Sequence, residues 1–259
     1  MNLLIPILLN IIRYLLIAGG AFLIFYKLLP TYFWFKKIQL KTIKQKDLLR
    51  ELTHSTQTTI VIAFVGVLIL SSPLKEFVSI YTDYTDYPIW WIPISIIVML
   101  IIHDTYFYWM HRIVHHPKLF KRVHLIHHRS TNPTPFTSYS FHIYEGLLEA
   151  LIAPILLFTL PLHPIAIVSF STISFLFNVY GHLGYEIAPL WFRRSLFFKV
   201  LNTSTHHNLH HSKAYGNYGL YFRFWDKLMK TEHPKYISEY DAIQKRRISG
   251  QKQTKVSLN

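Results

Sequence analysis

Residues 3–29, LLIPILLNIIRYLLIAGGAFLIFYKLL, form an apolar run long enough to cross a bilayer as a helix, and this limits the fold more than any other feature of the chain. Hydrocarbon offers no hydrogen-bond partners, so a segment placed there must satisfy its own backbone, and a run of this length does so as a helix. Arg13 interrupts the run, and it lacks the small-residue cleavage pattern of a removable signal, so it reads as a retained first span.

The same logic divides the rest of the chain. Residues 27–50 carry seven Lys or Arg and no acid before Asp47, which by the bias of cationic loops puts this loop on the cytoplasmic side. Residues 59–81 then cross outward, with Pro73, Lys75 and Glu76 blurring the end of the span. The connector YTDYTDY has two Asp and no Lys or Arg, as an outer loop would. Residues 88–110 return inward behind Trp90 and Trp91, aromatic anchors at the interface. The apolar block 146–180 is too long for one crossing and is broken by PLHP at 161–164, so it reads as a hairpin of spans. The expected fold is all-α and polytopic, with about four transmembrane helices and a cytoplasmic histidine-rich helical cap. Its expected organisation is an N-terminal membrane region over 1–87, a catalytic domain over 88–235 and a polar, partly disordered tail over 236–259.

Composition excludes several function classes. The chain has 259 residues, 51% of them hydrophobic and 15% charged, with a formal net charge of +14. Its Lys and Arg flank apolar runs rather than interleave with aromatics in a basic domain, so anionic lipid headgroups, not nucleic acid, are the counterpart. Without a single cysteine, disulfides, thiolate zinc sites, iron–sulfur clusters and cysteine nucleophiles are all ruled out. A bound metal must then use nitrogen or oxygen donors.

Nitrogen donors are abundant, since the chain contains 16 histidines. His111 and His115 in MHRIVHH are four apart, a spacing that puts both imidazoles on one helical face. His124, His127 and His128 in HLIHH repeat spacings of three and four, and His207, His210 and His211 in HHNLHH repeat them again. One such pair is commonly a hydrated surface pair. Three clusters with the same internal spacing, placed on one side of the membrane by charge arguments, point instead to metal. Neutral imidazole suits iron, copper, zinc and nickel, and eight nitrogens exceed what one four-coordinate ion can use, so two ions sharing the clusters is the economical reading.

Three stretches follow a known pattern in order and spacing: HDTYFYWMHRIVHH, KRVHLIHHRSTNPTPFTSYSFH and HHNLHHSKAYGNYGLYFRFWDKLMKT. They resemble the fatty acid hydroxylase and sterol desaturase superfamily, membrane non-haem di-iron oxygenases with boxes HxxxH, HxxHH and HxxHH, over residues 103–232. NPTPFTSYSFH is most similar to the sterol C5-desaturase branch, which favours a sterol-like or other polycyclic lipid over a simple acyl chain. The resemblance implies that His111, His115, His124, His127, His128, His207, His210 and His211 are box ligands, with His182 of NVYGHLGYE an additional one. Asn178, four residues before His182, would share its helical face and either pack or reach a metal-bound water. His103, eight residues before His111, is assigned to the substrate channel or a buried hydrogen bond. His142 is expected to support a ligand from behind or to face the substrate, and His206 lies beside its box, while His54, His163 and His233 fall outside every cluster.

The resemblance also implies a chemistry: two Fe ions, replaceable by zinc in purified protein, activate O₂ and oxidise an unactivated lipid C–H bond to an alcohol or an alkene. With no flavin, haem or ferredoxin motif in the chain, the electrons would come from a separate donor, a ferredoxin or a b-type cytochrome with its reductase. Lys118, Lys121, Arg122 and Lys213 could meet the acidic surface of such a donor. Two other classes compete. A histidine-rich metal transporter or metal-binding protein should place ionisable groups near the middle of several spans, whereas these gather at one face. A zinc hydrolase should show HExxH, which is missing; Glu145 and Glu149 are read instead as parts of a substrate-side helix or its cap.

Overall fold

The computed structural model describes residues 4–256, which are helical with no strand among the described residues. Among the described residues four helices are long and apolar enough to cross a membrane: α1 (Leu4–Leu28), α2 (Gln45–Ser71), α3 (Trp91–Val114) and a later one, Pro164–Gly181. Between them lie α4 (Pro117–Val123), α5 (Leu125–His128), α6 (Ile143–Ala150) and α7 (Ile152–Thr159), so that Pro164–Gly181 is α8. The chain continues through α9 (Leu196–Val200), α10 (Ser204–Lys213), α11 (Phe224–Leu228) and α12 (Tyr236–Val256).

The hairpin expected over 146–180 has unequal arms. Only α8 is a continuous span; the other arm is broken at Leu151 into α6 and α7, eight residues each. Pro154 explains the break, because its missing N–H and its ring forbid a helical bond back to residue 150. The polar tail is helical to Val256: α12 buries Tyr236 and Tyr240 against Phe198 of α9 and Leu209 of α10, and the buried Ile243 extends them to an i, i+4, i+7 stripe. Residues 257–259 lie outside the described residues.

Apolar packing sets the helices against one another. Met99 of α3, Ile152 and Leu156 of α7, and Ala166 and Phe170 of α8 form one buried cluster; Tyr14 and Ala18 of α1 meet Phe136, Phe175 and Val179 in a second. Leu8, Leu16 and Leu23 of α1, Ile97 of α3 and Val168 of α8 are exposed, as side chains facing lipid tails should be.

The basic loop and the histidine-bearing segments share one end of the molecule. The Ile38 N–H donates to Gly184 O, Glu186 N–H to Lys36 O, and Gln39 Nε2 to Asn208 Oδ1 at 2.8 Å. At the opposite end, Leu162 N–H donates to Ser79 O, and Trp91 Nε1 to Pro161 O at 2.8 Å, beside the YTDYTDY connector. The cap also reaches well up the side of α3. Asp104 accepts the backbone N–H groups of Leu220, Tyr221 and Phe222, and Trp225 Nε1 donates to Thr105 Oγ1 at 3.1 Å. A lone carboxylate in an apolar span is costly unless its hydrogen-bond capacity is met, and three backbone donors meet it here.

Candidate metal centre

Pro117 ends one ligand-bearing helix and begins the next, its fixed φ suiting the first helical position and the His116 ring accepting from Lys118 N–H. This turn brings α5 back over the end of α3, and α10 packs across both. Nine histidines converge there in two groups: His111, His115, His124, His128 and His210 in one, and His127, His182, His207 and His211 in the other. Within each group the candidate ligand atoms all lie within 4.8 Å of one another.

Hydrogen bonds at the outer ring nitrogens fix the tautomers. His111 Nδ1 donates to Tyr218 O at 2.9 Å, His210 Nδ1 to Gly216 O at 2.6 Å, and His124 Nδ1 to the Glu145 carboxylate at 2.6 Å. In the second group His182 Nδ1 donates to Asn178 O at 2.7 Å and His211 Nδ1 to Ser130 O at 3.1 Å. A neutral imidazole with its proton on Nδ1 has a bare lone pair on Nε2. The Nε2 atoms of His111 and His124 nevertheless face each other at 3.1 Å, and so do those of His182 and His211 at 3.1 Å. With no proton between them, neither pair can be a hydrogen bond.

A cation accounts for the arrangement. Two nitrogens about 2.1 Å from one metal ion and subtending about 90–110° lie about 3.0–3.4 Å apart. Six Nε2–Nε2 pairs, two in the first group and four in the second, lie from 2.9 to 3.3 Å apart. His115 Nε2, buried and without a hydrogen-bond partner, is a further bare donor. Burial, reinforced by neighbouring imidazoles, depresses the basicity of His115, His124, His127, His207, His210 and His211, and holds His182 down at about 4 and His128 at about 3. Neutral rings with free lone pairs are the form that binds metal. The donor set therefore fits two metal ions.

The remaining candidates do not join either group. Asn178 contributes its backbone carbonyl to His182, while its side-chain amide donates to Ser138 O at 2.9 Å. His103 is buried two turns away, its Nδ1 2.7 Å from the Tyr221 hydroxyl. His206, also buried, packs its ring on Tyr236 and lies 4.0 Å from the Asp226 carboxylate. His142, half-buried, joins neither histidine group and caps α6 by accepting from Tyr144 N–H. Glu145, read from the sequence as part of a substrate-side helix or its cap, lies in the first turn of α6, and its carboxylate holds His124. Its signal was its position three residues after His142, on the face of α6 that turns inward.

The loop after α10 presents the acceptor carbonyls. It turns through left-handed backbone at Ala214, Gly216 and Asn217, with φ of 53°, 69° and 57°. Glycine suits the middle position, where a Cβ would also press against Thr231 O. Asp226 pins the loop by accepting from Tyr218 N–H and Gly219 N–H at 2.9 and 2.8 Å.

Known proteins share this arrangement of sequence. Lathosterol oxidase of Rattus norvegicus is 32% identical over 188 residues, 71% of this chain and 61% of that protein. The Homo sapiens lathosterol oxidase is 29% identical over 215 residues, 81% of this chain and 70% of its own length. A Delta(7)-sterol 5(6)-desaturase of Gibberella zeae is 29% identical over 164 residues, 63% of this chain and 49% of the fungal protein. The chain thus spans about six-tenths of the rat relative's length. No solved structure matches it. The fatty acid hydroxylase profile matches residues 96–231, more than half of the chain and all nine of the converging histidines, and the chain belongs to the fatty acid hydroxylase family.

Proposed function

We propose that this chain is a membrane-bound non-haem di-iron oxygenase that hydroxylates or desaturates a C–H bond of a sterol-like lipid, using O₂ and two electrons from a separate donor. The observation that carries this reading is the pair of imidazole groups, eight of whose nine rings are buried and whose Nε2 atoms converge at ligand spacing. His111, His115, His124, His128 and His210 would hold one iron and His127, His182, His207 and His211 the other, with zinc a possible substitute in purified protein. Two irons held there would supply O₂ activation and two-electron oxidation.

The chain's own residues do the rest. Tyr218 O, Gly216 O, Asn178 O, Ser130 O and the Glu145 carboxylate each accept a hydrogen bond from an Nδ1–H, so every Nε2 they govern is aimed before metal arrives. Eight of the nine rings are buried, which keeps bulk water from the centre. The sterol assignment is supported by what the relatives are named for, lathosterol and Delta(7)-sterols. The test is mass spectrometry of lipids from cells with and without the gene: an O₂-dependent product shifted by about +16 or −2 mass units supports the reading, and an unchanged lipid profile refutes it.

The catalytic face is assigned to the cytoplasm because the basic loop over 27–50 lies at the same end as the histidines. Single cysteines introduced at the exposed Lys41 and Lys213 should resist an impermeant thiol reagent in intact cells, and one at Thr85 should react. The chain has no native cysteine to obscure the result. Labelling at Lys213 from outside would invert the topology.

A further inference from the structure

α1 and α2 are long and apolar enough to cross a membrane, yet neither supplies a histidine to the two groups. What α2 supplies is a buried acid. Glu51, near the start of that helix, is 1% exposed and meets one hydroxyl on each oxygen: Ser130 Oγ donates to Oε1 at 2.7 Å and Thr134 Oγ1 to Oε2 at 2.6 Å. The other partners set the direction of both bonds. Ser130 Oγ accepts from the Arg50 guanidinium at 3.0 Å and Thr134 Oγ1 from Phe136 N–H at 3.2 Å, so each hydroxyl turns its own proton to Glu51.

The segment held in this way is the one on which the second histidine group leans. Residues 130–134 belong to no helix, so no regular backbone ladder places them and side-chain bonds decide where they lie. The Ser130 carbonyl accepts from His211 Nδ1–H at 3.1 Å. Farther along, Ser138 O accepts from the Asn178 amide at 2.9 Å, and Asn178 O accepts from His182 Nδ1–H at 2.7 Å. Between these two contacts, Ser55 of α2 and Tyr14 of α1 both donate to Phe136 O, at 2.8 and 3.1 Å. His182 and His211 are both members of the second group, whereas the first rests on Tyr218 O, Gly216 O and Glu145.

We infer that Glu51 is a positioning residue for the second metal group: by gripping Ser130 and Thr134 it aims the Ser130 carbonyl at His211, and through that ring it holds the group's metal in place. The inference rests on the two-metal reading above. No substitution removes the Ser130 carbonyl, but Glu51 decides where it points. A carbonyl displaced from Nδ1–H leaves the imidazole free to turn its Nε2 away from the shared ion. Two oxygens on two hydroxyls four residues apart also fix the rotation of the loop, which a single bond would leave open. A buried acid is costly unless its hydrogen-bonding capacity is met, and the same two bonds that meet it here carry the position of α2 into the metal centre.

The test titrates EDTA into the full chain, loaded with iron(II) in lipid nanodiscs without O₂, and reads the iron retained per chain. Glu51→Ala should release half of the iron at an about tenfold lower chelator concentration than wild type, the lower end of what loss of an outer partner costs, and the other half at the wild-type concentration. Glu51→Gln keeps one acceptor oxygen and should shift that half less. Joining Glu51→Ala to Glu145→Gln, which acts on His124 of the first group, should release both halves early. Val67→Ala truncates a buried apolar side chain farther along α2 and serves as the stability control: the thermal midpoint should fall and neither half should move. Should Glu51→Ala fail to fold, Ser130→Ala decides, since it keeps the carbonyl and removes the hydroxyl, and it too must shift one half. Early release of both halves in Glu51→Ala, matched by Val67→Ala, would make Glu51 a prop of the fold alone and overturn the inference. A double variant that still releases only half early would put Glu51 behind the first group and overturn it as well. Wild type that holds two irons, with the Glu51 and Ser130 variants unshifted, overturns the positioning role and leaves the two-metal reading standing. Wild type that holds no iron overturns both.

Discussion

The two histidine groups are built from the same residue type but are held differently. The first has five rings, one of them, His115, only partly buried, and one of its outer nitrogens is held by a carboxylate, Glu145. The second has four rings, all buried, and the outer nitrogens of His182 and His211 meet only backbone carbonyls. A carboxylate raises the basicity of the ring it holds more than a carbonyl does. The more accessible group is therefore also the one whose donors a side chain can tune. Backbone carbonyls hold the enclosed group, and side-chain substitution cannot remove them.

Loss of a ligand from either group should have the largest effect. His124→Ala removes one of five nitrogens from the first group, and His182→Ala removes one of four from the second. Turnover should fall by at least about a hundredfold in both. Metal analysis separates them: His182 Nε2 lies 2.9 to 3.3 Å from three other Nε2 atoms, so its loss should empty the second position, whereas four nitrogens remain to hold metal in the first. Equal and complete iron retention in both variants would break the two-group assignment.

Glu145→Gln sharpens the comparison at a smaller scale. The amide can still accept from His124 Nδ1 but no longer supplies charge, and losses of outer partners of this kind cost about 10–100-fold in metal affinity. Chelator titration should then show half the metal leaving early and half at the wild-type concentration. A single unshifted transition would mean that the carboxylate does not distinguish the groups.

That two such groups exist was only half legible in the sequence. Spacings of three and four announced that the histidines of each box share a helical face, and all nine do converge. Which ring serves which group was hidden. His127 and His128 are adjacent, so about 100° of helical rotation sends them to different groups, and in the third box His207 and His211 go one way while His210 goes the other. The three boxes are interleaved by tertiary packing that no periodicity encodes. Asp104 was equally unreadable, since its partners are backbone N–H groups more than a hundred residues later. The broken arm at Pro154 and the buried stripe of α12 were written in the sequence as a proline and an i, i+4, i+7 pattern, though a polar average masked the second.

A donor that reaches the more accessible group first should use the cations beside it. Lys118, Lys121 and Arg122 are exposed on α4, directly after His115, and Lys213 is exposed at the end of α10. Lys121→Glu should slow donor-dependent turnover several-fold, with a weaker salt dependence than wild type, because a charge at the rim of an interface acts mainly on association. Reduction by a small uncharged chemical reductant should be unaffected. Equal slowing with both reductants would place Lys121 outside the docking surface.

The smallest effect should come from His142, three residues before Glu145 on the same helix. Its ring accepts from Tyr144 N–H at the start of α6 and reaches neither histidine group. Capping contacts of this kind contribute about 1 kcal/mol or less when the acceptor is a weak one. His142→Ala should therefore lower the thermal midpoint slightly while leaving iron content and the ratio of metal between the two groups as in wild type. Glu145→Gln should do the reverse, altering that ratio with little change in the midpoint. The pair isolates what a side chain at the mouth of α6 does for the metal from what it does for the helix. A loss of iron in His142→Ala equal to that in Glu145→Gln would mean that the start of α6, rather than the carboxylate, supports His124.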